Sequence, residues 1–183
     1  MTTPEEARRV LAEADCLFTA EDVAAAYDRL AAAITADYAD LNPLFLCVMN
    51  GGLVPTAELI KRLNFPFQLD YLHATRYRGA TTGGGLIWKR QPPAILDGRH
   101  VVVVDDILDE GYTLVAVRKA LSEFAPASLK VAVLAEKIHD RRAPGAVAEY
   151  IGLKVIDRYV FGCGMDYKEY WRQLPAIYAM KNA

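Results

Sequence analysis

The sequence predicts an α/β fold in which a central parallel sheet is flanked by helices. Three apolar runs carry this prediction: Leu44–Met49, Val101–Val104 and Leu129–Ala135. Near-continuous apolar runs are typical of strands buried on both faces, as the strands of a parallel sheet are. The first two runs lead through a glycine-containing loop into apolar residues at helical spacing. Strands that alternate with helices in this way indicate a parallel α/β sheet.

Composition and charge narrow the class of protein. A chain of 183 residues is long enough for one domain with a sizeable core. Its net charge of −2 provides no basic surface for nucleic acid. The first ten residues have no signal-peptide pattern, and no apolar run approaches membrane-spanning length. The three cysteines are scattered without metal-ligand spacing. These features predict a protein of the reduced cytoplasm that binds neither nucleic acid nor membrane.

Residues 4 to 40 are predicted to form two helices. The first is marked by Val10, Leu11, Ala14 and Leu17. Thr19 is a candidate N-cap for the second, with Asp22 three residues later in the position of a capping box. One apolar stripe then follows at helical spacing: Val23, Tyr27, Leu30, Ile34 and Tyr38. Stripes of this kind usually form core, so we assign this region no chemistry.

The loop after the first apolar run is Asn50-Gly51-Gly52, and a helix is predicted from Pro55 to Leu63. Proline is favoured in the first turn of a helix. The residues alone fit either a plain tight turn or a loop whose backbone N–H groups face a phosphate.

A long hairpin is predicted next. Residues 69 to 77 alternate like a strand, and residues 86 to 89 resume an extended pattern. The small residues and three glycines between them cannot pack a core and should be flexible. Two interpretations remain open for residues 75–87, a disordered surface loop and a lid that closes over a reacting centre.

The stretch Val101–Leu114 combines a predicted strand, an acidic loop and a helix N-terminus. A loop at a helix N-terminus favours phosphate, and Gly111 permits a tight turn there. Asp105 and Asp106, placed where the strand should end, would repel a phosphate. They are better suited to sugar hydroxyls or a divalent cation. The helix is predicted from apolar residues at helical spacing: Leu114, Val117, Leu121 and Phe124.

The third apolar run ends at a charged segment, residues 136–142, that begins with Glu136-Lys137. By composition this segment fits a solvated loop. Lys137 nevertheless follows a strand, so it should lie level with the loops at residues 50 and 109, where α/β sheets bind ligands. Near the C-terminus, the aromatic residues Tyr167, Tyr170 and Trp171 fit a cover for the edges of the core.

Residues 101–113 resemble the phosphoribosyl-diphosphate (PRPP) signature of the type I phosphoribosyltransferases: four apolar residues, two acids, two apolar residues, Asp, any residue, Gly, any residue, Thr. Every defined position matches. The order of glycine loop, lid, PRPP motif, lysine and C-terminal segment resembles the hypoxanthine-guanine members over residues 44 to 172. The resemblance implies one domain, 1–183, with a core at about 40–155 and a small hood built from the N- and C-terminal segments.

The resemblance also implies an activity. Family members of this type transfer the 5-phosphoribosyl group from PRPP to N9 of hypoxanthine or guanine, with Mg²⁺, giving IMP or GMP and diphosphate in purine salvage. A homo-oligomer, dimer or tetramer, is expected. Other classes remain open: a regulator that binds PRPP or a nucleotide without catalysis, a relative that prefers xanthine or another base, and another phosphate-binding protein such as a nucleotide hydrolase. The absence of a GxxxxGK[ST] loop argues against a P-loop enzyme.

Individual roles follow from the same resemblance. Asp109 takes or holds the purine N7 proton. PRPP and its phosphates are contacted by Asn50, Gly51, Asp105, Asp106, Asp109, Glu110, Gly111, Tyr112, Thr113 and Arg172. The purine is contacted by Lys137, which donates to its 6-oxo group, and by Tyr159, Val160 and Asp166. The metal ligands are Asp105, Asp106 and Asp166, and the lid pair is Arg76 and Tyr77. The chain departs from common family residues at Asn50, His73, Arg76 and Tyr112.

Overall fold

The computed structural model describes residues 2–76, 86–92 and 96–181, with only the backbone described at residues 75, 76 and 86. The helices are α1 Pro4–Glu13, α2 Ala20–Tyr38, α3 Leu53–Ile60 and α4 Tyr112–Ser122. The strands are β1 Asp15–Phe18, β2 Leu44–Val48, β3 Gln68–Arg76, β4 Leu86–Arg90, β5 His100–Leu108, β6 Ser128–Lys137, β7 Tyr150–Val155, β8 Val160–Phe161 and β9 Ile177–Ala179.

Six strands form the main sheet in the order β4-β3-β2-β5-β6-β7. All neighbouring pairs are parallel except β3 and β4, which form an antiparallel hairpin at one edge. The valine run lies in the central strand β5. Its side chains alternate between two hydrophobic clusters, Val102 and Val104 in the one that contains α2, Val101 and Val103 in the one that contains α4. The prediction of a parallel sheet flanked by helices is therefore confirmed.

Helix α2 begins as its sequence predicts. The Thr19 N–H donates to Asp22 Oδ2 at 2.9 Å, and the Asp22 N–H donates to Thr19 Oγ1 at 3.2 Å, which completes a capping box. All five members of the predicted stripe are buried against the sheet. This helix therefore packs on one face of the sheet.

Three predicted element bounds are wrong. The first helix ends at Glu13, and Leu17 lies in β1 because residues 15–18 pair with β9 at the other end of the chain. Strand β5 does not end at the two acids but continues to Leu108, because β6 pairs alongside it to Glu136. Helix α3 occupies residues 53–60 and not 55–63.

A second, antiparallel sheet has the order β1-β9-β8, and it joins a segment near the N-terminus to two segments near the C-terminus. The division into a core at about 40–155 and a hood stays a prediction. Within the described ranges, none of the helices combines the length and apolar character that crossing a bilayer requires.

Candidate active site

The C-terminal ends of β2, β5 and β6 lie side by side, because the three strands are parallel neighbours in the sheet. The segments that follow them, at residues 49–52, 109–111 and 138–142, therefore meet at one edge. Ligands of open α/β sheets bind at this edge. A pocket is found there, lined by Asp106, Ile107, Asp109, Lys137, Tyr159, Val160, Met165 and Asp166.

Asp109 is held by two side chains, one from the last residue of β6 and one from the segment after it. Lys137 Nζ donates to Asp109 Oδ2 at 2.5 Å, and His139 Nε2 donates to Asp109 Oδ1 at 2.8 Å. Partial burial raises the pKa of Asp109, but the hydrogen bonds from Lys137 and His139 outweigh it and lower the pKa below its ordinary value. Asp109 is therefore a carboxylate at neutral pH, with 42% of its side chain exposed and open to a ligand.

The tautomer of His139 is assigned from the hydrogen bond at its second ring nitrogen, Nδ1. The Arg141 N–H donates to His139 Nδ1 at 3.1 Å, so Nδ1 is an acceptor. The ring hydrogen is then on Nε2, which faces Asp109 Oδ1. His139 thus donates to Asp109 as a neutral imidazole.

The loop between β5 and α4 leads into a helix N-terminus, where backbone N–H groups favour an anion. Gly111 is the N-cap of α4 with φ +80°, a left-handed conformation that favours glycine. A Cβ on Gly111 would lie 2.4 Å from Ala146 Cβ and 2.8 Å from Leu108 Cδ1, so the packing also requires glycine. The Ala143 N–H donates to Glu110 O at 2.8 Å and fastens this loop to the segment after β6. Tyr112 and Thr113 begin α4, and the Glu110 residue before Gly111 is exposed.

Asp105 and Asp106 lie on β5 below this loop. Asp105 Oδ1 accepts from the Asp106 N–H at 2.9 Å, and Asp106 Oδ1 accepts from the Ile107 N–H at 2.7 Å. Burial raises the pKa of both carboxyls, and the neighbouring Asp106 raises that of Asp105 further. Two desolvated acids at a ligand-binding edge are suited to bind hydroxyl groups or a cation.

Two glycines bring other segments against Asp106. A Cβ on Gly51 would lie 2.2 Å from Asp106 Oδ2, and a Cβ on Gly164 would lie 2.2 Å from Gly51 O. At Gly164 the contacted atom is backbone, so the approach requires glycine, whereas at Gly51 a side chain would have to displace the Asp106 carboxylate. The loop after β2 and the C-terminal segment therefore both reach the acids of β5.

The C-terminal segment also carries an ion pair. Arg172 Nη2 lies 2.7 Å from Asp166 Oδ1, and Arg172 Nη1 donates to Gly164 O at 2.8 Å. The other oxygen of Asp166, Oδ2, accepts from the Glu169 N–H at 2.7 Å. In the parts of the chain that the structure describes, no three acidic, histidine or cysteine side chains converge closely enough to hold a metal ion by themselves.

The pocket contains six of the residues predicted from the sequence: Asp106, Asp109, Lys137, Tyr159, Val160 and Asp166. The lid residue Tyr77 and the side chain of Arg76 lie outside the described residues, as does most of the predicted lid. Sequence reasoning missed Ile107, Met165 and His139. A histidine two positions after the predicted ligand Lys137 was a usable signal, but it stood in a segment that reads as a solvated charge run.

Comparisons with known proteins identify a family that matches most of the chain. A model of the phosphoribosyl transferase domain matches residues 14–169. The hypoxanthine-guanine-xanthine phosphoribosyltransferase of Tritrichomonas foetus is 34% identical over 167 residues, which cover 91% of each protein. The hypoxanthine-guanine phosphoribosyltransferase of Streptococcus pneumoniae is 34% identical over 91% of this chain and 92% of that protein. A crystal structure of a hypoxanthine phosphoribosyltransferase from Staphylococcus aureus superposes with a TM-score of 0.85 at 28% identity, covering 91% of both chains.

Proposed function

The chain belongs to the phosphoribosyltransferase family, and we propose that it transfers the 5-phosphoribosyl group of PRPP to N9 of hypoxanthine or guanine, giving IMP or GMP and diphosphate. The resemblance found in the sequence is confirmed, and the fold is that of the type I phosphoribosyltransferases, as predicted. The observation that carries the choice of base is the pairing of Asp109 with Lys137 in the pocket.

This pairing presents an acceptor and a donor side by side. A 6-oxopurine protonated at N7 offers the complementary pair, because N7 and O6 are neighbours on the same edge of the ring. Asp109 would accept from N7–H while Lys137 donates to O6. Adenine has an amino group in place of O6, so Lys137 would meet a donor. A buried polar mismatch of this kind discriminates by several orders of magnitude.

The reaction breaks the bond between the anomeric carbon and the diphosphate oxygen and forms the bond from that carbon to N9. Positive charge develops at the sugar and negative charge on the leaving diphosphate. As N9 loses electron density, the N7 proton becomes more acidic, and Asp109 takes or holds it as a general base. Contributions of about 10²- to 10⁴-fold are typical of such a group.

The remaining residues bind PRPP. Asp105 and Asp106 would hold the ribose hydroxyls, and residues 109–113, with Glu110 turned away, would hold the 5′-phosphate through backbone N–H groups. The loop Asn50-Gly51 and Arg172 would contact the diphosphate.

Mg²⁺ would be held by Asp105 and Asp106 with Asp166 near by, and when bound it would neutralise the leaving diphosphate. The desolvated pair of carboxylates fits Mg²⁺, which is usually held by one or two carboxylates together with substrate oxygens and water.

The base would lie against Tyr159, which is 48% exposed at the pocket, with its edge at the backbone of Val160 and with Asp166 near by. Arg76 and Tyr77 are proposed to belong to a lid over this pocket.

We also propose a cytoplasmic homo-oligomer, a dimer or tetramer. The three cysteines are free, as in proteins of a reducing compartment.

Xanthine is a second candidate substrate, because one relative is named for hypoxanthine, guanine and xanthine.

The experiment that tests the proposed function is a turnover assay with PRPP, Mg²⁺ and four bases: hypoxanthine, guanine, xanthine and adenine. We expect nucleotide from hypoxanthine and guanine and almost none from adenine. Efficient use of adenine would contradict the role of Lys137. Binding of PRPP without turnover of any base would identify the chain as a regulator.

A further inference from the structure

His139 contacts Asp109, but it is not among the residues that the family pattern assigns to the site. Its side chain is only 2% exposed, although it follows a charged strand end. The Arg141 N–H holds its Nδ1 at 3.1 Å. Arg141 itself forms two hydrogen bonds to Asp157, at 2.7 and 2.8 Å. The imidazole is therefore fixed in position and in tautomer before any ligand binds.

The two oxygens of Asp109 have different partners. Oδ1 accepts from His139, and Oδ2 accepts from Lys137. In the proposed function Lys137 has a second task, donation to the purine 6-oxo group. His139 has only its Nε2 hydrogen to donate, since its Nδ1 accepts from the Arg141 N–H. When Lys137 turns towards the base, His139 is the group that continues to hold the carboxylate.

We propose that His139 is a positioning residue for phosphoribosyl transfer: it fixes Oδ1 of Asp109 so that Oδ2 faces the N7–H of the purine. This inference rests on the proposed function. A neutral donor suits the task, because it fixes Oδ1 by a charge-assisted hydrogen bond without placing a second positive charge beside the carboxylate. A second cation at Oδ1 would hold the negative charge so tightly that Oδ2 became a poor acceptor for the N7 proton.

The competing explanation is that His139 only fills space and anchors the segment after β6. Arg142 also anchors this segment, since its Nη2 donates to Lys137 O at 2.7 Å and its Nη1 donates to Glu136 at 2.7 Å. If His139 were merely structural, any residue that filled its volume would serve. If it positions Asp109, the Nε2 donor itself is needed.

Two substitutions separate these explanations. His139→Phe keeps a ring of similar size and removes the donor. His139→Gln places an amide N–H near the position of Nε2. Both lose the acceptor for the Arg141 N–H, so the difference between them reports the donor to Asp109. A matching thermal midpoint for the two variants would establish that they are equally well folded.

We expect His139→Phe to lower kcat with hypoxanthine by about 10- to 100-fold, the range for losing a hydrogen bond to a charged group. The KM for PRPP should change less than kcat, because His139 contacts the side chain of Asp109 and not the backbone N–H groups proposed to hold the phosphate. His139→Gln should recover most of kcat. Wild-type kcat in His139→Phe, or equal losses in both variants, would overturn the proposal.

The pH profile of kcat/KM should change on substitution if His139 positions Asp109, and it should stay the same if His139 is only structural. The charged and titratable groups that act on Asp109 are Lys137 from β6 and, from the following segment, His139 and Arg141, and Arg141 also interacts with Glu110 and Asp157. Loss of the His139 donor should raise the pKa of Asp109 and move the acidic limb of kcat/KM to higher pH. The limb should move in His139→Phe and stay in His139→Gln. An unmoved limb in His139→Phe would overturn the proposal.

A measurement independent of turnover separates this inference from the proposed function. The carboxyl carbon of Asp109 can be titrated by ¹³C NMR in the free protein and in both variants. We expect a higher pKa for Asp109 in His139→Phe than in the wild type or in His139→Gln. If the wild type converts no base, the proposed function fails, while this titration still tests the contact. The same pKa in all three proteins would refute a donor role for His139.

Discussion

A Cβ atom on Gly51 would lie 2.2 Å from Oδ2 and 2.5 Å from Cγ of Asp106. Gly51 belongs to the loop after β2, whereas Asp106 lies on β5, so the missing side chain is what allows the two segments to meet. The contacted group is the side-chain carboxylate of Asp106, which can move. The proposed function assigns this same carboxylate to PRPP binding. Substitution at Gly51 should therefore change both stability and ligand binding.

We expect Gly51→Ala to reduce the free energy of unfolding by about 1–3 kcal/mol, the usual cost of overpacking, and to raise the KM for PRPP. Urea unfolding and steady-state kinetics would measure the two effects. The control is the same substitution in an Asp106→Ala background, where the carboxylate is absent. The stability cost should then largely disappear. An undiminished cost in the double variant would locate the clash elsewhere in the loop.

Asp109→Asn tests the proposed general base. The amide keeps the shape of the side chain but cannot take the N7 proton, so kcat should fall by about 10²- to 10⁴-fold while PRPP still binds. Asp140→Asn, an exposed acid of the same charged segment, is the matched control and should retain wild-type kcat. Near-normal turnover by Asp109→Asn would remove Asp109 from the mechanism.

The same residue gives a prediction about stability and pH. Since the folded pKa of Asp109 is below its unfolded value, its ionised form stabilises the folded protein above the unfolded pKa, and this contribution is lost as the pH falls through the folded pKa. The excess stability of the wild type over Asp109→Asn should shrink across this acidic range. We expect a pH-dependent part of about 1 kcal/mol or less, because solvent screens the partly exposed carboxylate.

Urea unfolding of both proteins between pH 3 and pH 7 measures this difference. Part of the loss in Asp109→Asn does not depend on the titration of Asp109, because Lys137, only 9% exposed, is left without its carboxylate partner. The test is therefore the change with pH and not the value at one pH. A difference that grows towards acidic pH would mean that the folded pKa of Asp109 is raised.

Local patterns in the sequence predicted much of the fold. The valine run of β5 and the capping box at Thr19 depend on burial and on contacts between residues close in the chain, so they can be read from spacing. Leu17 could not be placed in this way, because β1 exists only through pairing with β9. The same limitation applies to the end of β5, where pairing with β6 keeps Asp105 and Asp106 inside a strand.

The candidate site also contains some contacts that the sequence could predict and others that it could not. Loops after parallel strands are known to meet, so the approach of Lys137 to Asp109 follows from topology once the strands are identified. The contact of His139 with Asp109 depends on the path of the chain after β6 and on a backbone N–H at Arg141. Neither can be read from residue spacing, although a histidine two positions after Lys137 was a signal that it could lie near the site. Specific resemblance to a family cannot supply it either, because His139 lies outside the family motif.

The last prediction concerns the lid proposed for residues 75–87, of which 77–85 lie outside the described residues. The sequence there is rich in glycine, with Arg76 and Arg78 at its start and Lys89 and Arg90 just beyond it. In the free protein we expect trypsin to cleave here, because loop tips of small and polar residues are preferred sites of nicking.

A diphosphate-bearing analogue with Mg²⁺ and a purine analogue should slow this cleavage more than PRPP or base alone, since a ligand shifts a population only through its differential affinity for the closed state. Trp88 on β4 is partly buried against the core cluster of α4, so its fluorescence should change with the same ligands. Cleavage at a distant site such as Lys119, on α4, serves as the control for general stabilisation. If the ligands change neither the cleavage near residue 76 nor the Trp88 emission, another segment shields the reacting centre.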